Sequence, residues 1–304
     1  MNLRTILKNI KCCKQDILNY KPDVLILVDY PGFNIRIAEW ARKQNIKTVY
    51  YISPQIWAWK ESRVHILKRS VDKMIVILPF EKDFYSKWDY KVDYVGHPLV
   101  EVIDDYKSTH PQESTKRNVI ALLPGSRKQE IKVKLPVMLE VSKAFPDYEF
   151  IVAKAPGQED SFYEPFLAPY KNVSALSGKT YDLLNKASAA LVTSGTATLE
   201  TALFGVPEVV CYKGNPISYS IAKRIVKIKY ISLVNLIMNK LVVTELIQHE
   251  MTTANCIKEL KELLYNQQRI QQLQQDYSAL KQLLSQGGKA SSNAAGIIYN
   301  FIKL

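Results

Sequence analysis

Three places in this chain combine residue types that can do chemistry. The first is Ser194-Gly195-Thr196 with Glu200. It lies within Ala189–Pro207, which reads as an apolar strand, a tight turn and a helix from Thr196 to Phe204, stopped by Gly205 and Pro207. Free backbone N–H groups and hydroxyls at the positive end of that helix make a seat for a phosphate or diphosphate. Glu200, four residues beyond Thr196, falls on the same helix face and can reach ribose hydroxyls. The second place is Gly125-Ser126-Arg127, after Leu122-Leu123-Pro124. Gly125 permits a sharp turn, Ser126 can cap the next helix, and the Arg127 guanidinium can grip two diphosphate oxygens and neutralise a leaving nucleotide. The third is Asp29, at the end of the apolar run Leu25–Val28. A carboxylate there can serve as general base toward a sugar hydroxyl, or can close an Asx turn before Pro31. Taken singly, each of the three also fits an ordinary βα turn.

Other chemistries find no matching spacing. His65, His97, His110 and His249 do not pair as metal ligands, and no Asp-x-Asp occurs, so a metal-chelated nucleotide-sugar site is disfavoured and no metal or cofactor is expected. Neither GxGxxG nor GxxxxGKS is present. Cys12, Cys13, Cys211 and Cys256 form no CxxC pair, which suits a reducing cytoplasm. Trp57 and Trp59, next to Lys60, can stack on a sugar or meet a lipid interface, although aromatics more often pack in a core.

The elements that must position these residues alternate regularly. Short apolar strands are expected at Leu25–Val28, Thr48–Ile52, Met74–Leu78 and Val92–Val95, with a helix over residues 1–20 carrying Leu3, Ile6, Leu7 and Ile10 on one face, and another capped by Asn34. A second series runs through Asn118–Leu123, Glu149–Ala153, Asn172–Leu176, Ala189–Val192 and Glu208–Tyr212. From about Thr253 the chain reads as helical and glutamine-rich to Gln286, broken by Gly287-Gly288, and Ser291 or Ser292 caps a last helix. The pattern is α/β, with two Rossmann-like domains facing a cleft and ligands at the carboxyl ends of the strands. Domains are expected over residues 1–103 and 104–286, with the helix at 287–304 folded back on the first or exchanged in a homodimer.

The chain has 304 residues and a formal net charge of +12; residues 1–103 carry 17 Lys/Arg against 11 Asp/Glu. No zinc-finger, RNP or KH signature accompanies this charge, so nucleic acid is set aside in favour of phosphorylated substrates and an anionic membrane surface. No apolar run approaches the roughly 18 residues of a membrane span. The basic amphipathic stretch with Lys223, Arg224, Lys227 and Lys229 can meet anionic head groups or be a solvated helix face.

Taken together, these residues resemble the lipid-A-disaccharide synthase family, inverting glycosyltransferases of the GT-B architecture. The resemblance rests on Asp29-Tyr30-Pro31-Gly32-Phe33-Asn34, Tyr51-Ile52-Ser53-Pro54-Gln55-Ile56-Trp57-Ala58-Trp59-Lys60, Leu78-Pro79-Phe80-Glu81-Lys82 and Gly96-His97-Pro98. It continues through Leu122–Arg127, Ser194–Glu200, Ala222-Lys223-Arg224-Ile225-Val226-Lys227 and Ser232-Leu233-Val234-Asn235 to Glu245-Leu246-Ile247-Gln248. It implies transfer of 2,3-diacylglucosamine from UDP to 2,3-diacylglucosamine 1-phosphate, in lipid A and lipopolysaccharide synthesis on the inner face of a Gram-negative inner membrane. Asp29 would be the base, Arg127 with Ser194–Thr196 would hold the diphosphate, Glu200 the ribose, and Asn235 would complete the nucleotide pocket. Val234 and Thr244 stand where the family usually has proline. The family also opens with a strand and a Gly-Glu-Ala-Ser-Gly-Asp loop that this sequence does not contain, so an incomplete first sheet with an exposed edge is expected. Two alternatives share the scaffold: a different UDP-sugar transferase or UDP-N-acetylglucosamine epimerase, and a UDP-binding protein without catalysis.

Overall fold

The structure, a computed structural model, describes residues 3–111, 118–226 and 228–303. The chain divides into two compact units, Met1–Glu101 with Leu283–Leu304, and Val102–Gln282. Both are α/β with wholly parallel sheets.

In the first unit β1 (Leu25–Val28), β2 (Thr48–Tyr51), β3 (Lys73–Val76) and β4 (Asp93–Tyr94) lie in that order. Each is a short run of aliphatic and aromatic residues, as strands covered by helices require. One face packs against helices Leu3–Tyr20 and Pro31–Lys43 through Ile10, Ile17, Ile35, Ile37 and Ala38. Of the apolar face expected on the first helix, Ile6 and Ile10 join this core while Leu7 is exposed; the Leu3 side chain lies outside those described. The other face receives helix Ala290–Lys303, where Ala290 and Ala294 meet Val49, Ile75 and Val95. The chain returns there through a close backbone crossing. A Cβ on Gly287 would fall 2.1 Å from the Gly96 nitrogen, so only glycine fits. At the outer edge of the sheet, Ile26 and Val28 on β1 are 45% and 49% exposed.

The helix expected to be capped by Asn34 starts earlier, at Pro31, with Tyr30 in the cap position. Proline's fixed φ suits the first helical position, and Asn34, inside the first turn, instead donates its amide to the carbonyls of Val28 (2.9 Å) and Asp29 (2.8 Å). The last helix likewise begins at Ala290, ahead of both serines expected to cap it.

The second unit holds β5 (Val119–Leu123), β6 (Glu149–Lys154), β7 (Val173–Ser177), β8 (Ala189–Thr193), β9 (Glu208–Tyr212) and β10 (Thr244–Ile247), in the order β10-β9-β8-β5-β6-β7. Every residue of the central strands β5 and β8 is buried. The chain lays β6 and β7 on one side of β5, then crosses back to place β8 on the other, so the order reverses between β5 and β8. That is the switch point at which open parallel sheets bind ligands. The glutamine-rich tail forms two helices, Thr253–Tyr265 and Gln267–Ser285, rather than one. β10 has no counterpart in the sequence reading, because Thr244-Glu245-Leu246-Ile247 is a mixed run whose place at the sheet edge does not demand continuous apolarity.

Candidate active site

At the switch point Leu123 pairs with Val192, so the loops that follow β5 and β8 emerge side by side. Gly125 turns at φ +111° and Gly195 at φ +152°, positions that side chains rarely adopt. Helix Thr196–Leu203 starts immediately after Gly195, and helix Lys128–Val141 after Arg127. Between them lies a cavity of about 250 Å³ bordered by Gly125, Ser126, Ser194, Gly195, Thr196 and Glu200. Six residues named from the sequence, separated by up to 75 positions, therefore meet in one place. Unpaired N–H groups at a helix start and glycine turns that let backbone approach closely are the features a diphosphate seat needs.

Each side chain around the cavity has a definite partner. The Ser194 hydroxyl donates to the Ile231 carbonyl at 2.8 Å, which pins the loop and leaves the oxygen's lone pairs free. Glu200 accepts from the Tyr181 hydroxyl at 3.1 Å. Burial pushes the Glu200 carboxyl above its usual range, and the Tyr181 hydrogen bond opposes this. Thr193, also on the cavity wall, has a buried hydroxyl without a partner among the described residues. Tyr181, Thr193 and Glu130 were not read from the sequence. Tyr181 and Thr193 carry no local motif, while Glu130 stands three residues past Arg127 and could have been found by its helical spacing.

Three expectations change. Ser126 does not cap the next helix; Arg127 occupies that position, without a side-chain cap bond. The Arg127 side chain is 83% exposed and pairs with Glu130 at 3.1 Å, outside the cavity lining. An extended Arg127 at the helix start carries its guanidinium outward, where Glu130 one turn on is the nearest anion. Asn235 does not reach the cavity. It is fully buried, and its amide donates to Val243 O (2.8 Å) and Glu245 Oε1 (2.9 Å) while its oxygen accepts from the N–H groups of Val242 and Val243. Glu245 in turn accepts from the N–H groups of Ile231 and Ser232. Asn235 thus supports the loop whose Ile231 carbonyl holds Ser194, and acts on the cavity wall from behind.

Asp29 belongs to the first unit, immediately after β1. It and Tyr30 both have φ +44°, and Ile52, after β2, has φ +61°. The Asp29 carbonyl accepts from the Tyr50 hydroxyl (2.5 Å) as well as from Asn34, so the turn is held through its backbone and the carboxylate stays exposed. A recess of about 320 Å³ opens beside it, bordered by Pro54, Gln55, Ile56, Trp59 and Arg63. Trp59 is 47% exposed, with Lys60 Nζ 4.6 Å and the Arg63 guanidinium 5.4 Å from its ring centroid. A carboxylate, an open indole and two cations suit a sugar bearing an anionic group. Arg63 was not read from the sequence, although it stands four residues past Trp59. Trp57 takes the packing role, edge-on to Phe80 at 4.9 Å.

Nearby, Glu81 is buried and accepts from the N–H groups of Leu78 (2.9 Å) and Ile77 (3.2 Å). Burial pushes its carboxyl up to about 7, opposed by these bonds and by Ser53. On helix Pro216–Ile225 of the second unit, Lys223, Arg224 and Ile225 are exposed; Lys227 lies outside the described residues. No helix among the described residues is long and apolar enough to cross a membrane.

Comparison with known proteins agrees with this geometry. The family model described as lipid-A-disaccharide synthetase matches residues 1–299. The lipid-A-disaccharide synthase of Trichlorobacter lovleyi is 36% identical over 300 residues, covering 95% of this chain and 78% of its own length; that of Syntrophus aciditrophicus is 37% identical over 315 residues, covering 99% and 81%. In fold the chain is similar to a UDP-GlcNAc 2-epimerase from Neisseria meningitidis, with a TM-score of 0.64 at 14% identity over 98% of this chain and 81% of the other. Solved glycosyltransferases share the same two-sheet architecture at comparable scores. The chain belongs to the lipid-A-disaccharide synthase family, glycosyltransferases of lipid A biosynthesis.

Proposed function

We propose that this chain transfers 2,3-diacylglucosamine from UDP to the 6-hydroxyl of 2,3-diacylglucosamine 1-phosphate, with inversion and without a metal. The observation that carries the reading is the meeting of the Gly125 and Gly195 turns at the sheet's switch point, in a chain of this family. The diphosphate lies against the N–H groups of the Thr196–Leu203 helix, and Glu200, oriented by Tyr181, accepts from the ribose. Arg127 leaves Glu130 and folds onto the diphosphate, so that its charge meets the negative charge growing on the departing UDP. Asp29 removes the proton of the attacking hydroxyl, while Trp59 stacks on the acceptor ring and Arg63 and Lys60 face its phosphate. Lys223 and Arg224, with Ile225, lie on the anionic inner-membrane surface from which both acylated substrates come.

The test is release of UDP from UDP-2,3-diacylglucosamine by the purified chain, with and without the acylated acceptor. Release that requires the acceptor is expected. Turnover of non-acylated UDP-N-acetylglucosamine without an acceptor would overturn the reading in favour of an epimerase.

A further inference from the structure

A buried charge lies behind the Gly125 turn, and the transfer reaction as assigned leaves it unused. Lys134 sits on helix Lys128–Val141, its side chain 2% exposed and its ammonium 3.7 Å from Glu130 Oε2. A Cβ built on Gly125 would stand 3.6 Å from that ammonium, 2.9 Å from Glu130 Oε2 and 3.5 Å from the Thr193 methyl. Gly125, Glu130 and Thr193 all border the donor cavity. The ammonium therefore stands directly behind the cavity wall, screened from it by a residue that has no side chain.

A buried ion pair is a poor stabiliser of a fold, since apolar replacements of similar volume are often neutral or better. The arrangement makes more sense as electrostatics of the seat. Glu130 places one oxygen toward Lys134 and the other on Arg127 at 3.1 Å, so the trio carries a net positive charge at the loop where a diphosphate would rest. We propose that Lys134 is a positioning residue of the donor seat, holding a positive potential behind the Gly125 turn that draws the diphosphate onto the loop, with Glu130 keeping the ammonium in register. The proposal rests on the donor-seat reading above.

The groups facing the ammonium fix the sign of its pH dependence. Burial lowers the Lys134 pKa, Glu130 and the Cys211 thiol of β9 raise it, and Arg127 lowers it. Cys211 is itself paired with the buried Cys256 thiol of helix Thr253–Tyr265 and lies near Glu208. A bound diphosphate adds negative charge and favours the protonated form. Affinity is therefore full below the pKa of the ligand-free ammonium and falls as pH rises through it.

Calorimetric titration of the full chain with UDP between neutral and alkaline pH tests this, using wild type, Lys134→Met and Lys134→Arg. The methionine variant is expected to bind UDP about tenfold more weakly at neutral pH, from loss of one unit charge at partly buried range, and to lose the alkaline decline seen in wild type. The arginine variant, which stays charged, is expected to keep neutral affinity and hold it to higher pH. Comparison at each pH cancels the nucleotide's own titration. Equal affinity and an equal alkaline decline in wild type and Lys134→Met overturn the proposal while sparing the donor seat. Absence of UDP binding by wild type overturns both. If Lys134→Met melts too early to titrate, the arginine variant decides: a decline at the same pH as wild type overturns the proposal.

Discussion

At their two candidate sites the units solve one geometric problem by opposite means, although elsewhere Gly96 turns at φ +91° after β4 in the first unit and Gln248 at φ +55° after β10 in the second. Each must bring chain out of a parallel sheet at the carboxyl ends of its strands and hold a functional group there. The second unit turns at Gly125 and Gly195, where glycine tolerates the backbone and the absent Cβ lets N–H groups approach a ligand. The first turns at Asp29, Tyr30 and Ile52, all in the left-handed region without a glycine among them. Left-handed geometry costs a non-glycine residue about 1–2 kcal/mol. What is gained is a side chain on a fixed vector, and the turn that carries Asp29 is tied down through its backbone: Tyr50 and Asn34 donate to the Asp29 carbonyl, Asn34 also to that of Val28, and the Asp29 N–H donates to the Tyr51 carbonyl. Backbone suits recognition of an anion, and a side chain is needed to move a proton. On the proposed function, the left-handed turns at Asp29 and Ile52 are the ones in the first unit that fix side chains and loop residues beside the recess, whereas those at Lys21, Asn45 and Asp89 lie away from it.

The most direct way to break this contrast is Asp29→Asn. Asparagine tolerates the left-handed region, and the bonds that hold the turn go to the backbone, so fold and melting temperature should be unchanged. Turnover is expected to fall by about 10³, within the usual range for loss of a general base, with UDP affinity preserved because the donor seat belongs to the other unit. Turnover above a tenth of wild type would show that the first unit's turn does not carry the proton transfer.

A smaller effect concerns the pH dependence of the first unit. In the first unit Glu81 is pushed up to about 7 by burial, whereas its unfolded value is an ordinary carboxylate's. The folded state therefore prefers the protonated acid. Its stabilising contribution is complete below the unfolded value and is lost as pH rises to about 7, a change of roughly 3 kcal/mol. His97, also in the first unit, is lowered to about 4 by burial and acts in the opposite direction: its contribution is present above the unfolded value and is lost as pH falls toward 4. Glu81→Gln keeps an oxygen for the Leu78 and Ile77 N–H groups. Over most of the range between about pH 4 and 7 the two groups oppose each other and wild-type stability should be nearly flat, so Glu81→Gln should unmask the His97 contribution as a stability that falls as pH drops from about 6.5 toward 4. Urea titrations followed by tryptophan fluorescence across pH 4–8 check this, since Trp40, Trp57, Trp59 and Trp88 all lie in the first unit. An unchanged pH slope in Glu81→Gln would mean that another group sets it.

The same contrast explains what the sequence made legible. Glycine turns, fully apolar strands and helix starts are local signals, so Gly125, Ser194–Thr196 and both parallel sheets, save the edge strand β10, are legible in the sequence. Asp29 was legible as a carboxylate at a strand end, but nothing in Asp29-Tyr30 or Ile52-Ser53 announces a left-handed backbone, because tertiary contacts impose it. Asn235 was misplaced for a related reason. A polar residue in a family-specific run reads as a ligand contact, whereas burial, three bonds to backbone and one to the Glu245 carboxylate show it to be a strut behind Ser194. Tyr181 lies 19 residues before Glu200, and only the fold brings the two together. Lys134 was lost among the other basic residues of Lys128–Lys134, since helical spacing does not reveal which of several lysines faces inward.

The finest test concerns Ile52 itself. A β-branched residue at φ +61° is strained, and its loop continues into Ser53-Pro54-Gln55, two of whose residues border the recess beside Asp29. Ile52→Gly removes the steric cost but adds unfolded-state entropy of about 0.5–1 kcal/mol and gives up the burial of a half-exposed side chain. The net change in stability should therefore be a gain of no more than about 0.5 kcal/mol. Its effect on function should be easier to see. If strain at Ile52 keeps Pro54 and Gln55 against the recess, relaxing the loop raises KM for the acceptor several-fold while UDP affinity and the donor KM stay as they were. Stability that falls by more than 1 kcal/mol, with acceptor KM unchanged, would mean that Ile52 serves packing. The left-handed turn after β2 would then be incidental to the site, and only Asp29 and Tyr30 would still distinguish the first unit's turns from the glycine turns of the second.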